Sequence, residues 1–520
     1  GKVVDENGQP LIGATVKVKG SSKLTTTNEK GEFFLQDVEE DTLLEISFLG
    51  YKLKEIKAAA NIGDVSLEVS TGELEEVSVV STGYQEISAR ANTGSATTLS
   101  TGLINRRVST NILERIEDLV PGLILNKQGT SVGKTNISIR GQSTISANTE
   151  PLIVLDNFPY DGDLTSINPN DVESITVLKD ASAAAIWGAR AGNGVIVIKT
   201  KNGRLNSPMI VSANANLTIT DRPDLFYQPR MSTQDVVAIQ SRLFNENYYR
   251  GTENNDINNV SHGALPQVAE ILILQRDSKI SSEQASGQLN ELSKLDNRDQ
   301  ISKLLYRPSI NQQYALSMSG GNNKSNYFLG TGYDNNLETQ MGNQLERFTL
   351  QGKMHMRFAR NRVSLRFGML STLSQLERNA IVFNPADPYI LLRDANNNPL
   401  AVPTYRQGFI DRSLSLGLLS FEHKPLNELE SKNNKQQIYD QRMNIGSDVL
   451  LFKPLKFSVD YQFGATSTGT RQIQDLNSYY TRNLINTYSQ VAMDGTITRP
   501  VPLGAILDND HYSNRNHSLR

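Results

Sequence analysis

The sequence lacks cysteine altogether and has few histidines. Without cysteine, its 520 residues offer no disulfide, no thiolate metal ligand and no cysteine nucleophile. No histidine has the H-x-x-E or H-E-x-x-H spacing of a zinc site, so each is interpreted as an ordinary polar side chain. The five are His262, His355, His423, His511 and His517. We therefore predict no catalytic residue, no cofactor and no metal.

An excess of one charge and long apolar runs are also missing. The 52 Lys and Arg nearly balance the 55 Asp and Glu, which gives no reason to expect a nucleic-acid partner. No run is long enough for a transmembrane helix, and no signal peptide is seen. The sequence opens on GKVVDENGQP and closes on NHSLR, both strand-like. We expect that both ends are cut and that the natural chain continues well past Arg520.

Residues 1–70 consist of short β-prone runs separated by breaks rich in Gly and Asn. Strands at such even spacing predict a small β-sandwich that serves as a rigid stalk or a binding module. Its opening residues, GKVVDENGQPLIGATV, resemble the regulatory-like domain that accompanies carboxypeptidases. The next segment, 71–85, contains ELEEVSVVSTGYQ, an extended run between flexible stretches. Such a run can pair with an exposed sheet edge or simply link two domains, and its residues leave both open.

The stretch GTSVGKT, at 129–135, contains the patterns of two enzyme classes. A nucleophile elbow needs strand, turn and helix, but Ser131 lies between two predicted strands, GLILNKQ and KTNISIRG. A phosphate loop needs four residues between its glycines, and Gly129 and Gly133 have three. We predict a hairpin turn, with a small residual chance for a serine nucleophile. Before it, NILERIEDL predicts a helix capped by Asn111.

Residues 172–203 have the most regular pattern. ESITVL predicts a strand, the alanine-rich run ASAAAIWGARA a helix capped by Asp180, and VIVI a buried strand. The glycines follow the helix, whereas a dinucleotide-binding loop places them before it. Asp156, Asp161, Asp163 and Asp171 do not have the spacing of an EF-hand and are interpreted as turn residues.

Several of these motifs, in this order, resemble a known family. DLVPGLIL, ISIRG, PLIVLDNFPYDGD and INPNDVESITVLKDASAAAIWGARAGNGVIVIKTKNG are similar to the plug domain of TonB-dependent outer-membrane receptors, especially the SusC/RagA branch. The carboxypeptidase-regulatory-like start also belongs to that branch. Asn157 stands where Gly is expected and Trp187 where Tyr is expected. Neither change threatens the fold, because Asn tolerates left-handed turns and Trp keeps a large aromatic ring.

The resemblance implies three groups of site residues. The TonB-binding segment would be Glu75, Glu76, Val77, Ser78, Val79, Val80, Ser81, Thr82, Gly83 and Tyr84. The plug motif would comprise Arg140, Gly141, Asp156, Asp180, Trp187, Gly188, Arg190 and Gly194, with Arg140 expected to anchor the plug to barrel carboxylates. Substrate contacts are expected at Gln142, Ser143, Asn148, Tyr160, Asp161 and Asp163, and a role in turns alone is the alternative for these residues.

From about residue 208 apolar and polar residues alternate. In ERFTLQGKMHMRFA, one face carries Phe348, Leu350, Met354, Met356 and Phe358, and the other carries Arg347, Thr349, Gln351, Lys353, His355 and Arg357. We predict strands at about 208–219, 312–320, 325–335, 346–360, 361–373, 438–452 and 455–468, with an eighth beginning near His517. Tight turns alternate with long polar connections at 221–311, 374–437 and 470–515. Such asymmetry is typical of outer-membrane barrels.

The predicted fold is therefore mainly β. It comprises a β-sandwich (1–70), a TonB-box-like segment (71–85), an α+β plug (86–204) and the first part of an antiparallel transmembrane barrel (205–520). The resemblance implies energised import of oligosaccharides or oligopeptides across the outer membrane of a Gram-negative bacterium, with TonB and a SusD-like surface lipoprotein as partners. A TonB-linked signalling receptor and a surface adhesin of β-domains are the alternatives.

Overall fold

The computed structural model describes residues 1–520 except 7, 22, 49–50, 69–78, 82, 84–85, 89–94, 127–135, 142–149, 181–184, 258–260, 360, 382 and 453–454. The chain divides into two compact units. The first comprises residues 1–80 and 86–92, and the second comprises residues 81–85 and 93–520.

The first unit is a small β domain around one apolar core. Its strands are β1 (Lys2–Val4), β2 (Thr15–Val18), β3 (Leu24–Thr26), β4 (Leu43–Ser47), β5 (Lys54–Lys57) and β6 (Asp64–Ser66). An antiparallel sheet in the order β3-β2-β4-β5 and the parallel pair β1-β6 contribute to this core. Val16 and Ile46 are cross-strand partners and are fully buried. A short sheet also joins β7 (Val79–Ser81) to β8 (Glu86–Ser88).

The plug domain begins the second unit. Its strands are β9 (Ala96–Ser100), β10 (Leu123–Asn126), β11 (Asn136–Ile139), β12 (Leu152–Leu155), β13 (Phe158–Pro159), β14 (Val172–Leu178) and β15 (Val195–Thr200). Two short helices, α1 (Thr101–Ile104) and α2 (Ile112–Ile116), lie between β9 and β10. The 3-10 turns are Leu164–Ser166, Pro169–Asp171 and Ala185–Ala191. Among the described residues the main sheet has the order β13-β12-β15-β14-β9 and packs against α2.

Two local predictions for the plug are confirmed, and a third is wrong. The Asn111 side chain accepts a hydrogen bond from the backbone N–H of Leu113 and caps α2. The strands β10 and β11 pair antiparallel, although GTSVGKT itself lies outside the described residues. The alanine-rich α-helix is wrong over its described part, since 185–191 forms 3-10 turns interrupted at Gly188. Gly188 has φ 61° and ψ −147°, which an α-helix cannot contain.

An antiparallel sheet follows the plug. It contains β16 (Ser207–Thr220), β17 (Ser309–Gly321), β18 (Ser325–Leu337), β19 (Asn343–Phe358), β20 (Val363–Arg378), β21 (Lys432–Phe452) and β22 (Leu455–Gln474). After the short pair β23 (Gln490–Val491) and β24 (Ile497–Thr498), β25 (Ile506–Leu519) completes it. In the part of the chain that the structure describes, these eight long strands pair in sequence order and form the start of a barrel.

The prediction of an eighth strand beginning at His517 is wrong, because β25 begins eleven residues earlier at Ile506. The residues DNDHYSNRNHS, which form most of β25, lack the apolar alternation of the other strands. A pattern search based on an apolar face therefore assigns them to a loop.

The two faces of the sheet differ as the alternation predicts. On β19 the side chains of Arg347, Thr349 and Gln351 are buried against the plug. Phe348, Met354 and Phe358 point the other way and are about half exposed. The polar face is therefore the inner, plug-facing wall, and the apolar face is the outer wall.

The long connections are helical rather than merely polar. Between β16 and β17 lie α3 (Thr233–Asn245), α4 (Arg250–Ile257), α5 (Gln267–Arg276), α6 (Ser282–Ser293) and α7 (Arg298–Leu304). The later connections contain α8 (Gln407–Ser415), α9 (Pro425–Ser431) and α10 (Tyr479–Tyr488). Val237, Val268 and Tyr389 belong to an apolar core that joins two of these connections. Within the described ranges, no helix has the length and apolar character needed to cross a membrane.

Candidate functional site at the plug–barrel interface

The plug segment from residue 160 to residue 171, here called the crossing segment, lies across the inner wall from β18 to β21. Glycines on the inner face of β18 allow this close approach. A Cβ at Gly332 would lie 2.3 Å from the Asn168 amide nitrogen. A Cβ at Gly330 would lie 3.4 Å from an oxygen of Asp171. The crossing segment therefore sits against the wall with little space for larger side chains.

Arg347 of β19 binds the crossing segment through its backbone. Its guanidinium donates to the carbonyl oxygens of Thr165 at 2.5 Å and Ile167 at 3.3 Å. It also donates through Nε to Asp334 of β18 at 2.9 Å. The Arg347 and Asp334 side chains are 0% and 1% exposed. Such a buried pair is stable only while each charge keeps its partner.

Arg115 of α2 is the corresponding cation on the plug side. Its guanidinium reaches the wall at Gln313 of β17, 3.0 Å away, and contacts Asn170 of the crossing segment at 3.1 Å. It also donates to Asn105 and to the Ser109 carbonyl oxygen. Burial lowers the pKa of Arg115 to about 10, so it still carries its charge at neutral pH. Arg115 thereby ties helix α2, the crossing segment and the wall together.

Asp156 directly follows β12. Of these contacts between plug and wall, its contact lies nearest the turn that joins β19 to β20. Its carboxylate lies 2.9 Å from Lys353 of β19 and accepts hydrogen bonds from the Thr200 N–H and hydroxyl. Gln351 donates to the same hydroxyl at 2.6 Å. Burial by itself would raise the pKa of Asp156, but Lys353 and the Thr200 hydrogen bonds outweigh it and lower the pKa. Asp156 is therefore ionised when docked.

Asp171, at the end of the crossing segment, has the opposite behaviour. Burial raises its pKa to about 6, although Lys201, Arg347 and Lys353 act in the other direction. Its Oδ2 atom has no hydrogen-bond partner among the described residues. Burial also lowers the pKa of the neighbouring Lys201. Asp171 is thus the interface carboxyl whose ionisation opposes docking.

Tyr160, at the start of the crossing segment, is held by β21. Its hydroxyl lies 2.6 Å from a carboxylate oxygen of Asp440, and burial together with Asp440 raises its pKa well above the usual value. Arg442 pairs with Asp440 at 2.8 Å and lies 4.7 Å from the centre of the Tyr160 ring. Tyr160 is 6% exposed, so the structure places it in plug docking rather than at the surface expected for substrate contact.

Replacing Gly162 with alanine is expected to release this contact. A Cβ there would lie 2.5 Å from the Tyr160 hydroxyl and 2.6 Å from Asp440, so the Tyr160–Asp440 hydrogen bond cannot persist. Leaving a buried carboxylate without this donor should weaken docking by roughly 1–3 kcal/mol. Faster hydrogen exchange of residues 160–164 in the full-length protein would show the effect. Gly504→Ala is the control, since no heavy atom lies within 4 Å of that Cβ position and the backbone there is not left-handed. Unchanged exchange in Gly162→Ala would contradict the assignment.

The other predicted substrate residues have exposed side chains or lie outside the described residues. Asp161 is exposed and forms an ion pair with Arg190 at 3.1 Å. Asp163 accepts a hydrogen bond from the Thr165 N–H and caps a 3-10 turn. Gln142, Ser143 and Asn148 lie outside the described residues, so their expected role stays a prediction.

The remaining plug-motif residues shape the domain. Arg140 and Gly141 have φ 61° and 97° after β11, and Arg140 is exposed. No described carboxylate forms an ion pair with Arg140, and the described anchoring contacts involve Arg115, Arg347 and Lys353 instead. Asp180 accepts a hydrogen bond from the Ser95 N–H at 2.6 Å. At Gly194, where φ is 87°, a Cβ would lie 2.8 Å from Ile139.

The TonB-box-like segment is partly described. Glu75, Glu76, Val77, Ser78, Thr82 and Tyr84 lie outside the described residues, whereas Val79, Val80 and Ser81 form β7. Gly83 is buried with φ 74°, and a Cβ there would lie 3.0 Å from both Trp187 and Val154. Trp187 packs against the apolar cluster that contains Val154. Gly83 thus packs into the plug core.

Comparisons with known proteins agree with this architecture. Residues 88–195 match the TonB-dependent Receptor Plug Domain, and residues 1–80 match the CarboxypepD_reg-like domain. Over 229 residues the chain is 37% identical to TonB-dependent receptor SusC of Bacteroides thetaiotaomicron. The chain belongs to the SusC/RagA family of TonB-dependent receptors.

Two further comparisons show how far this similarity extends. TonB-dependent receptor P39 of Formosa agariphila is 28% identical over 418 residues, which cover 77% of this chain and 36% of that protein. The match to SusC covers 42% of this chain and 22% of SusC. The chain thus spans only about a fifth to a third of these curated relatives.

A solved structure with the same fold is the RagAB peptide importer in its open-open state. Its TM-score is 0.57 at 20% sequence identity, and the alignment covers 76% of this chain and 43% of that one. At this identity the likeness shows the fold alone. It supports the arrangement of a plug beside an antiparallel barrel wall.

Proposed function

We propose that this SusC/RagA-family chain supplies the plug and the first barrel strands of a TonB-dependent importer in the outer membrane. The proposed division is a β-sandwich at 1–70, a TonB-binding segment at 71–85, a plug at 86–204 and barrel strands at 205–520. The main observation in support is that polar and charged contacts hold the crossing segment against the inner wall. A plug held in this way can be released without exposing a large apolar core.

The outer wall supports a location in the membrane. On β19 the outward apolar residues extend from Phe348 to Phe358. At about 3.3 Å per residue this length is roughly 33 Å along the strand. A tilt of about 40° reduces its height to roughly 25 Å, which is the height of the apolar band of outer-membrane barrels. An adhesin of water-exposed β-domains would have no use for this band or for a plug.

Energy coupling would act through the segment from Glu75 to Tyr84. Its strand β7 pairs with β8 in the described state, and TonB would pair with the segment by strand addition. A pull on the segment would draw Gly83 away from Trp187 and the plug core. The crossing segment would then lose its contacts with the wall in an order–disorder change.

The cargo is proposed to be an oligosaccharide or an oligopeptide, held under a SusD-like lipoprotein at the extracellular mouth. The name of the RagAB peptide importer supports the peptide class, whereas the oligosaccharide class rests on the family resemblance alone. Asp161 and Asp163 are exposed and stay candidates for contact with cargo, together with Gln142, Ser143 and Asn148. No enzymatic step is proposed.

Crosslinking tests the coupling step. The full-length protein in its own envelope would carry a photo-crosslinking residue at Val79, with and without deletion of residues 74–78. We expect a crosslink to the periplasmic domain of TonB that the deletion abolishes. A probe at Thr25 in the β-sandwich is the control and should not respond to the deletion. Absence of any TonB crosslink at Val79, with the protein correctly in the outer membrane, would identify the segment as a linker and favour a passive pore.

A further inference from the structure

The outward side chains of β22 and β25 follow from the strand register. Gln462 and Thr466 of β22 contact the inner-wall residues Asn444 and Arg442, so the odd-numbered residues of β22 point outward. Cross-strand partners share a face, and Arg515 is paired with Ala465. The outward residues of β25 are Leu507, Asn509, His511, Ser513, Arg515, His517 and Leu519.

The position of Arg515 across the membrane follows from counting residues along the strands. The count starts at the short turns between strands, which lie at the periplasmic end of the wall. Phe348 and Leu373 lie ten residues above the turn joining β19 to β20, at the upper end of the outer apolar band. Ala465 lies ten residues above the turn that precedes β22. Arg515, opposite Ala465, therefore lies at the upper border of the band, where lipid headgroups begin.

The basic outer strip consists of Arg515, His511 and Arg471, from this border upward. All three are exposed. The outward residues between them are small: Ser467, Gly469 and Ser513. The His511 ring nitrogen Nδ1 lies 3.8 Å from the position of a Cβ on Gly469, which is an ordinary contact distance. The strip thus presents two guanidinium groups and an imidazole ring with only small side chains between them.

Charge distribution distinguishes the strip from the neighbouring outer wall. On β20 and β21 the outward residues Glu377 and Lys435 form an ion pair, with 3.0 Å between the Lys435 nitrogen and a Glu377 carboxylate oxygen. Their charges therefore cancel. None of the outward residues of β22 and β25, all of which are described, is acidic. No described carboxylate forms an ion pair with Arg515 or Arg471. These two strands therefore supply no carboxylate that would compete with a phosphate for the guanidinium groups.

We propose that the basic outer strip binds the phosphate of a lipid headgroup in the extracellular leaflet. Arg515 would contact a phosphate oxygen at the border, and Arg471 and His511 would complete the site above it. Guanidinium groups suit this ligand because they donate two parallel hydrogen bonds to phosphate oxygens. The apolar residues Phe463 and Tyr461, below the strip on β22, would lie against the acyl chains of the same lipid. The inference rests on the proposed location in the outer membrane.

The test uses the full-length protein in phosphatidylcholine nanodiscs doped with diphosphoryl lipid A or with its dephosphorylated form. We expect photo-crosslinking of diphosphoryl lipid A to a probe at Ser513, and little crosslinking of the dephosphorylated form. The double variant Arg471→Gln, Arg515→Gln should weaken the former by about tenfold or more. Lys324→Gln is the control, because it removes one cation at the periplasmic end of β18. It should leave crosslinking of diphosphoryl lipid A at Ser513 unchanged.

Three results would overturn the proposal. Equal crosslinking of the two lipid forms would show that phosphate is not recognised. Full retention by the double variant would assign binding to other residues. A dimer in native mass spectrometry that the double variant abolishes would assign the strip to a second copy of the chain. Failure of the proposed function is seen separately, as absence of the wild-type protein from the outer-membrane fraction.

Discussion

Replacing Arg347 with glutamine is expected to release the crossing segment from the barrel wall. The substitution removes the charge that neutralises buried Asp334 and the donors to the Thr165 and Ile167 carbonyl oxygens. Breaking one side of a buried ion pair costs about 3–5 kcal/mol. In the full-length protein, hydrogen exchange of residues 160–171 should accelerate by about two to four orders of magnitude. Cells lacking TonB should also admit a bulky antibiotic that the wild-type plug excludes.

Two further variants separate loss of the pair from loss of folding. Arg357→Gln removes an arginine from the same face of β19, ten residues nearer the periplasm, and should leave exchange of the crossing segment unchanged. Arg347→Met combined with Asp334→Leu removes both charges and should restore part of the docking, because no uncompensated charge remains. If residues 160–171 of the Arg347→Gln variant exchange hydrogen as slowly as in the wild type, the Arg347–Asp334 pair does not hold the plug.

Replacing Asp171 with asparagine is expected to tighten plug docking at neutral pH and to remove its pH dependence. The docked pKa of about 6 lies above the usual value of 3.8, so the docked state binds the proton more tightly than a released, solvated state does. The resulting stabilisation is complete below about pH 4 and is lost as the pH rises through 6. Its size is roughly 3 kcal/mol. Asparagine is uncharged at every pH, so the Asp171→Asn variant does not lose this docking stabilisation as the pH rises.

Hydrogen exchange of residues 160–171 between pH 4.5 and 7.5, corrected for intrinsic rates, measures this effect. Wild-type protection should fall across the range, whereas Asp171→Asn should stay constant and exceed the wild type at pH 7.5. Asp163→Asn is the control, because Asp163 is an exposed carboxylate of the same segment and asparagine can still cap the turn. A wild-type protection that is flat with pH would rule out this role for Asp171.

Some features were predictable because they depend on neighbours along the chain. Asn111 caps α2 through the N–H of Leu113, two residues away. The alternation of Arg347 and Phe348 separated the inner wall from the outer wall, because successive side chains of a strand point to opposite faces. The same logic failed where local signals are weak. Because the outer face of β25 is polar, the sequence pattern did not identify it as a strand. Gly188 interrupts an alanine-rich run that otherwise favours a helix.

The sequence by itself determined the order of the domains, most of the strands and which side chains face the plug. Only the tertiary structure decided which of those side chains bind it. Asp334 and Arg347 meet because of strand register, and Tyr160 reaches Asp440 across 280 residues of chain. Whether a buried charge is anchored or isolated depends on such partners, and their distances are not encoded in any local pattern. For this reason the contacts that Arg115, Arg347 and Lys353 make between plug and wall, and the contact of Tyr160 with Asp440, could not be predicted from the sequence.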